Sequence, residues 1–511
     1  MSASRTQNGI RNISASVVNR IVLIILPFIT RTLIVKILGD QYLGLNSLFV
    51  SILSVLNLAE LGFGSALVYS MYKPIADGDI EKVGSLLKAY KKIYMIIGVL
   101  ILVTGSILAP IVPKLINGTW PKQINIYVVY FLYLINTAIS YLGFAHKKAL
   151  LIAYQRSDIK VNINTILSIV LYLCQIVLLV STKNYYLYLL CLPIFTLLEN
   201  IFTAIYVRKK YSNIKEQGNL DRQDKAVIVK HVKGIALQKV CSASRNSFDS
   251  IVISLYMGLT SIAIYNNYFY ILSAVHTFLY QIPNSIRASV GNSIAETSLE
   301  KNYQDFNVMT LIYAWISGVC ACCLMCLYQP FMKIWMGDDM LLPMTTVTLL
   351  CIYFYELSMS DITALYKDGA GLWWYGRYRT IVEAILNLIL NFVLGYIWGI
   401  NGILLATIIT LTFVGHGYGG YIIFCYYFKG ARFCEYLLLQ IKYFLIMILV
   451  AIITYMICDV IGNIGFLEIV IKGIVCVVVS NILYWVIFRK QKYYGVAKTF
   501  VGGMLKTLIK R

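Results

Sequence analysis

Apolar stretches of roughly 20 residues recur along the whole chain, and that is the length a helix needs to cross a bilayer. They fall near 13–38, 43–72, 93–113, 124–145, 161–182, 184–207, 235–257, 262–286, 307–331, 341–366, 380–398, 400–428, 436–458 and 464–488. A 511-residue chain that is 59% hydrophobic and 13% charged cannot hide so many of them in a water-soluble core, so lipid must be its solvent. The expected fold class is an all-α polytopic membrane protein of about 14 transmembrane helices. The first apolar run is too long for a signal-peptide core and carries Arg20 and Arg31, so no cleavable signal is expected.

A net charge of +21 would point to nucleic acid in a soluble protein, and its placement decides otherwise. Of the 44 Lys and Arg residues, 33 fall in segments on the same side of the predicted spans as the N-terminus. Four fall on the opposite side, and 7 lie within spans or at their ends. This is the positive-inside pattern. It places both termini in the cytoplasm and the basic loops against anionic inner-leaflet lipid, with no nucleic-acid partner. The tail after Phe488 interleaves Lys and Arg with Tyr493, Phe500, Leu505 and Leu508, as a helix lying on the inner leaflet would.

The chain repeats itself weakly at an offset of 219 to 220 residues, pairing Gly39 with Gly258 and Asn46 with Asn266. Tyr154-Gln155-Arg156 likewise corresponds to Tyr375-Gly376-Arg377. The expected organisation is an N-terminal six-helix half (1–207), a cytoplasmic linker (208–234) and a second six-helix half (235–428). Two additional helices (429–488) and a basic cytoplasmic tail (489–511) follow. An even number of spans per half implies two pseudo-symmetric bundles related by an axis along the membrane normal, with a cavity between them. The charged linker reads as a solvated surface rather than a binding site.

Catalytic signatures are weak throughout. No connection exceeds roughly 30 residues, too short for the extracytoplasmic domain of a membrane glycosyltransferase or polymerase, and the sequence has no Gly-x-x-x-x-Gly-Lys-Ser/Thr phosphate loop. His146, His231, His276 and His416 are too scattered for a metal site, and packing is the expected use of His276. Cys320, Cys322, Cys323 and Cys326 lie around the circumference of an apolar helix rather than on one face. Gly415, Gly417, Gly419 and Gly420 are expected to allow close helix packing. Neither enzymatic activity, metal nor cofactor is expected.

The informative residues are ionisable ones inside spans, each costing about 2.5–3.5 kcal/mol at a helix centre on insertion scales. Arg20 and Arg31 are three helical turns apart and share a face of the first span. Arg245 and Asp249 are spaced to pair on the seventh, with Ser242 and Asn246 on the same side. Glu60 falls near the middle of the second span, and Glu356 and Asp361 on the tenth. Arg20, Arg31, Arg245 and Asn246 are the candidate cavity residues, their cationic groups suited to phosphate or carboxylate. Glu60, Asp249, Glu356 and Asp361 are candidates for charge pairing or ion coupling.

The stretches Leu38-Gly39 to Leu43-Gly44-Leu45, Glu60-Leu61-Gly62-Phe63-Gly64-Ser65-Ala66, Tyr154-Gln155-Arg156 and Val290-Gly291-Asn292-Ser293 resemble polysaccharide-export proteins of the Wzx type. Those proteins share a superfamily with the multidrug (MATE) exporters and the lipid II flippases. The resemblance implies a cavity role for Arg20, Arg31 and Arg245. It also implies a flippase of undecaprenyl-diphosphate-linked oligosaccharide in a bacterial cytoplasmic membrane, working by alternating access on an H+ or Na+ gradient. The alternatives are a MATE-type antiporter of small molecules and, less favoured by the short loops, an integral membrane glycosyltransferase or polymerase.

Overall fold

The computed structural model describes the backbone of residues 5–60, 63–372, 375–462 and 465–509. The side chains of 5–10, 13, 58–59, 222–227, 229–246, 288, 377, 501 and 503–509 lie outside the described set. The described residues are helical, with short turns and no strand. They form two compact units, Met1–Ala263 and Ile264–Arg511.

The first unit contains α1 (Arg5–Ile37), α2 (Asp40–Leu56), α3 (Phe63–Asp77), α4 (Ile80–Leu108), α5 (Ile126–Ile139), α6 (Lys148–Ala153), α7 (Ser157–Thr182) and α8 (Tyr185–Lys210). It ends within α9 (Arg222–Leu279), which is broken at Gly258. In this unit α1 packs along α7, α7 along α8, and α8 against α5. The second unit continues with α10 (Gln281–Glu296), α11 (Leu299–Met336), α12 (Met344–Gly369) and α13 (Arg377–Thr410). A π-helical segment (Leu411–Tyr418), α14 (Gly419–Tyr426), α15 (Phe433–Asp459), α16 (Phe466–Phe488) and α17 (Tyr494–Ile509) complete it. Here α11 is the hub, packed by α12, α15, α16 and α17. The two helices beyond residue 428 are thus integral to the second unit.

Local chemistry explains the boundaries. Asp79 caps α4 by accepting from the Lys82 amide at 2.9 Å, and Asn125 and Asn184 cap α5 and α8 in the same way. Gly39, which precedes α2, and Gly258 both have positive φ (112° and 81°), a conformation that glycine adopts without steric cost. Gly39 stands at the start of α2, and Gly258 interrupts α9.

Polarity is distributed as a lipid solvent requires. On α7, Ile166, Leu173 and Val177 are exposed while Thr165, Ser168 and Gln175 are buried. Nine helical stretches among the described residues are long and apolar enough to cross a membrane, and the protein is a multi-pass membrane protein. Two of these stretches, Ser247–Glu296 and Tyr378–Tyr426, run across a glycine break, Gly258 and Gly399, and each covers all or part of two expected spans. The spans expected at 43–72, 124–145 and 341–366 coincide with helices that are broken (α2 and α3), short (α5) or charged (α12).

Candidate functional site

The ionisable residues singled out in the sequence separate into three settings. On α1, Arg20 is exposed and Arg31 half-buried, and Pro27 lies between them. The Arg31 guanidinium is close enough to the Tyr133 and Tyr188 hydroxyls to act on both electrostatically. The tyrosines themselves form a cluster: Tyr133 and Tyr185 share a hydrogen bond of 3.3 Å, and Tyr185 donates to the Tyr42 carbonyl at 3.2 Å. The side chains of Arg245 and Asn246 lie outside the described residues. Asp249, one turn on, is buried, and Ser247 meets Ser54 at 2.9 Å.

Glu60 closes a short 3-10 turn (Asn57–Glu60) between α2 and α3 instead of sitting inside a continuous helix. Its carboxylate accepts the Gly64 amide at 3.2 Å and the Tyr94 hydroxyl, which in turn receives the Tyr90 hydroxyl at 2.9 Å. A carboxylate held by an amide and a chain of phenols is stabilised because hydrogen bonds to the charged form offset its desolvation.

In the second unit Glu356 and Asp361 lie on opposite sides of α12, and each meets a histidine. Asp361 receives the Tyr313 hydroxyl at 3.2 Å, and His276 Nε2 lies 3.1 Å from the same oxygen. Glu356 accepts the Thr412 hydroxyl at 3.1 Å, while His416 Nε2 lies 3.1 Å from its carbonyl and 3.4 Å from its carboxylate. Packing alone therefore does not describe His276 and His416, as the sequence had suggested for the former. Nor are the glycines around His416 all packing contacts. A Cβ on Gly420 would collide with the Tyr436 ring, but Gly415 and Gly417 lie within the widened π turn.

The second unit also carries an apolar groove of about 570 Å³ lined by Leu311, Trp315, Ile316 and Val319 of α11, Asn481 of α16 and Lys498 of α17. Its walls are aliphatic and aromatic, with one ammonium at the rim.

The sequence profile of the polysaccharide biosynthesis proteins matches residues 10–285, more than half of the chain. The protein belongs to that family. No curated protein matches it. Among solved structures this family member is similar to a lipid II flippase, MurJ, in an inward closed conformation. The TM-score is 0.68 at 16% identity, covering 94% of this chain and 99% of the other. It is also similar to multidrug-resistance MATE transporters of the MOP superfamily. An inward-facing one gives a TM-score of 0.59 at 14% identity, covering 76% of this chain and 92% of the other. An outward-facing one gives 0.55 at 14%, covering 82% and 96%. At such identities the likeness establishes the fold alone.

Sequence reasoning missed the histidine partners of Glu356 and Asp361 and the phenols around Glu60. The pairs span 60 and 85 residues, and histidines on apolar helices carry no spacing that announces a carboxylate partner. The phenols around Glu60 did have a local signal: Tyr90 and Tyr94 are four residues apart and share one helical face.

Proposed function

We propose that this protein is a flippase for an oligosaccharide unit linked to undecaprenyl diphosphate. It would carry that unit from the inner to the outer leaflet of a bacterial cytoplasmic membrane, for surface polysaccharide assembly. The observation that carries the reading is that a sequence of the polysaccharide biosynthesis family has, over 94% of its length, the fold of a lipid II flippase. Both would act on a lipid-linked sugar. In this reading Arg20, Arg31, Arg245 and Asn246 receive the diphosphate and sugar. Guanidinium groups bind phosphate oxygens in a bidentate fork that water replaces poorly in a site of low dielectric. The apolar groove beside α11 and α16 suits a prenyl tail, with Lys498 at its rim able to pair with a phosphate. The headgroup crosses by alternating access, driven by an H+ or Na+ gradient, while Glu60, Asp249, Glu356 and Asp361 serve as charge-pairing or ion-coupling groups. Both termini lie in the cytoplasm.

A small-cation antiporter is the rival reading. The likeness to MATE transporters covers 76–82% of this chain, less than the likeness to the flippase, and intramembrane arginines repel a cationic cargo. Deletion of the gene tests the choice in cells. The flippase reading expects lipid-linked repeat units to accumulate in the membrane, shielded from external lectin, until the wild-type gene is restored. Unchanged repeat-unit levels with a new sensitivity to cationic drugs would favour the antiporter instead.

A further inference from the structure

Two features coincide at Glu356. The first is a π-helical segment, Leu411–Tyr418, in which i→i+5 bonding widens the turn. Thr412 and His416, one turn apart on it, both meet Glu356 of α12. The second is an unsatisfied nitrogen. His416 is 4% exposed, and its Nδ1 is buried with no hydrogen-bond partner among the described residues.

The tautomer follows from the partners. A carbonyl oxygen only accepts, so Nε2, 3.1 Å from the Glu356 carbonyl, carries a proton. In the neutral ring Nδ1 is then a lone pair facing no donor. One proton added there makes an imidazolium 3.4 Å from the Glu356 carboxylate and leaves the pair with no net charge. Without that proton the pair is a buried anion held by the Thr412 hydroxyl and the Nε2 N–H.

The charged groups nearby do not supply the missing charge. Arg379 of α13 lies against Gly419 at the end of the π segment, but it is paired with Glu383 at 3.2 Å. Lys367 of α12 lies 3.8 Å from Asp368, and Asp361 faces His276 and Tyr313. Tyr355 and Tyr436, two phenols within electrostatic reach of Glu356, are both buried, and Tyr436 is engaged with Thr363 at 3.0 Å. Among the described residues His416 is the base within ion-pair distance of Glu356.

We propose that Glu356 and His416 form a proton-binding site, with the proton taken up at His416 Nδ1 and the carboxylate as its counter-ion. Protonation also changes what the backbone must provide. The new Nδ1–H has no acceptor among the described residues in this conformation, so the protonated protein favours a different winding of 411–418 that gives it one. Gly415 and Gly417, on either side of His416, bring no side chain of their own to oppose the change. This gives transport a way to sense a proton: ligation at one histidine alters the path of the helix that carries it. The coupling rests on the transport reading above, whereas proton binding itself does not.

The test uses full-length protein labelled with 15N-histidine in lipid nanodiscs. At neutral pH the His416 ring, assigned by the loss of its signal in His416→Gln, is expected as the Nε2–H neutral tautomer. On acidification toward pH 5 it becomes doubly protonated, and in Glu356→Gln the change requires a lower pH because the counter-ion is gone. A ring that stays neutral from pH 8 to 5, or one whose titration Glu356→Gln leaves in place, overturns the proposal. The wild-type measurement decides by itself if Glu356→Gln fails to fold. Coupling is read separately, in vesicles with an imposed pH gradient. Flipping should respond to the gradient in the wild type and lose that response in His416→Gln. A response retained in His416→Gln overturns the coupling. Titration of His416 in a protein that flips no lipid-linked sugar would leave the proton site standing and remove the transport reading.

Discussion

A guanidinium inside a membrane keeps its charge at any physiological pH, so Arg31 and Arg245 must be met by polar groups, a carboxylate or a ligand. Arg31 lies within electrostatic reach of Tyr133 and Tyr188, which are neutral groups. Arg245 has Asp249 one turn away, and Asp249 is buried. If Arg245 serves the diphosphate, Arg245→Ala stops flipping in protein that still inserts, and Arg245→Lys restores part of it, because an ammonium keeps the charge but loses the fork. Adding Asp249→Ala to Arg245→Ala should not rescue transport. Rescue by the double variant would mean the arginine acts only to neutralise the aspartate, since removing one member of a buried pair costs about 3–5 kcal/mol and removing both far less. At this scale the sequence was readable for one partner of each interaction. Glu60, Glu356 and Asp361 stand out as charges in apolar runs, whereas Tyr94, His416 and His276 look like ordinary core residues until the fold brings them across.

Between elements, the segment after α8 behaves differently from the solvated surface its charges suggest. Ile214 and Ile228 join the apolar core formed by α3, α4 and α6. Glu216 receives Lys91 at 3.0 Å, His146 at 2.9 Å and Lys147. A Cβ on Gly84 would strike the Lys215 carbonyl, so glycine permits this docking. Burial alone would raise the Glu216 carboxyl, but the hydrogen bonds from Lys147, His146 and Lys91 outweigh it and hold the group at about 2. The folded value lies below the ordinary 4.5, so the docking is fully supported above that pH and weakens as pH falls from 4.5 toward 2. Burial lowers the His146 ring as well, and its protonation in acid works in the same direction. Hydrogen exchange over residues 211–219 should accelerate in that acid window, and Glu216→Gln should show the faster exchange already at neutral pH. Equal protection in the two proteins would mean the apolar contacts alone hold the segment.

The α11–α16 contact offers a second test at this scale. A Cβ on Gly318 would overlap the Tyr484 hydroxyl, which is buried without a hydrogen-bond partner among the described residues. Gly318→Ala should destabilise the protein by about 1–3 kcal/mol through overpacking. Tyr484→Phe alone should cost little, because it removes an unsatisfied polar atom, and it should recover part of the Gly318→Ala loss. Thermal unfolding of the detergent-solubilised single and double variants measures all three. No recovery in the double variant would place the cost elsewhere in α11.

For the molecule as a whole, the alternation of long apolar runs and basic loops made the membrane fold legible. That signal is redundant, since many helices each carry it and an error in one leaves the class unchanged. The count of spans was harder to read. Glycine breaks such as Gly258 and Gly399 join neighbouring helices, and interior helices such as α12 are free to be polar because protein rather than lipid surrounds them. Residue roles were least legible, because they depend on contacts between distant elements. The central claim is that this fold moves a lipid-linked oligosaccharide between leaflets. Its most direct test is reconstitution of the purified protein into vesicles with fluorescently labelled undecaprenyl-diphosphate oligosaccharide, followed by a membrane-impermeant quencher. The account predicts that with active protein the quenched fraction rises beyond the outer-leaflet share with time, and that it stays at that share with Arg245→Ala. Vesicles in which wild-type protein leaves the inner-leaflet pool fully protected, while a labelled cationic drug is transported, would contradict it.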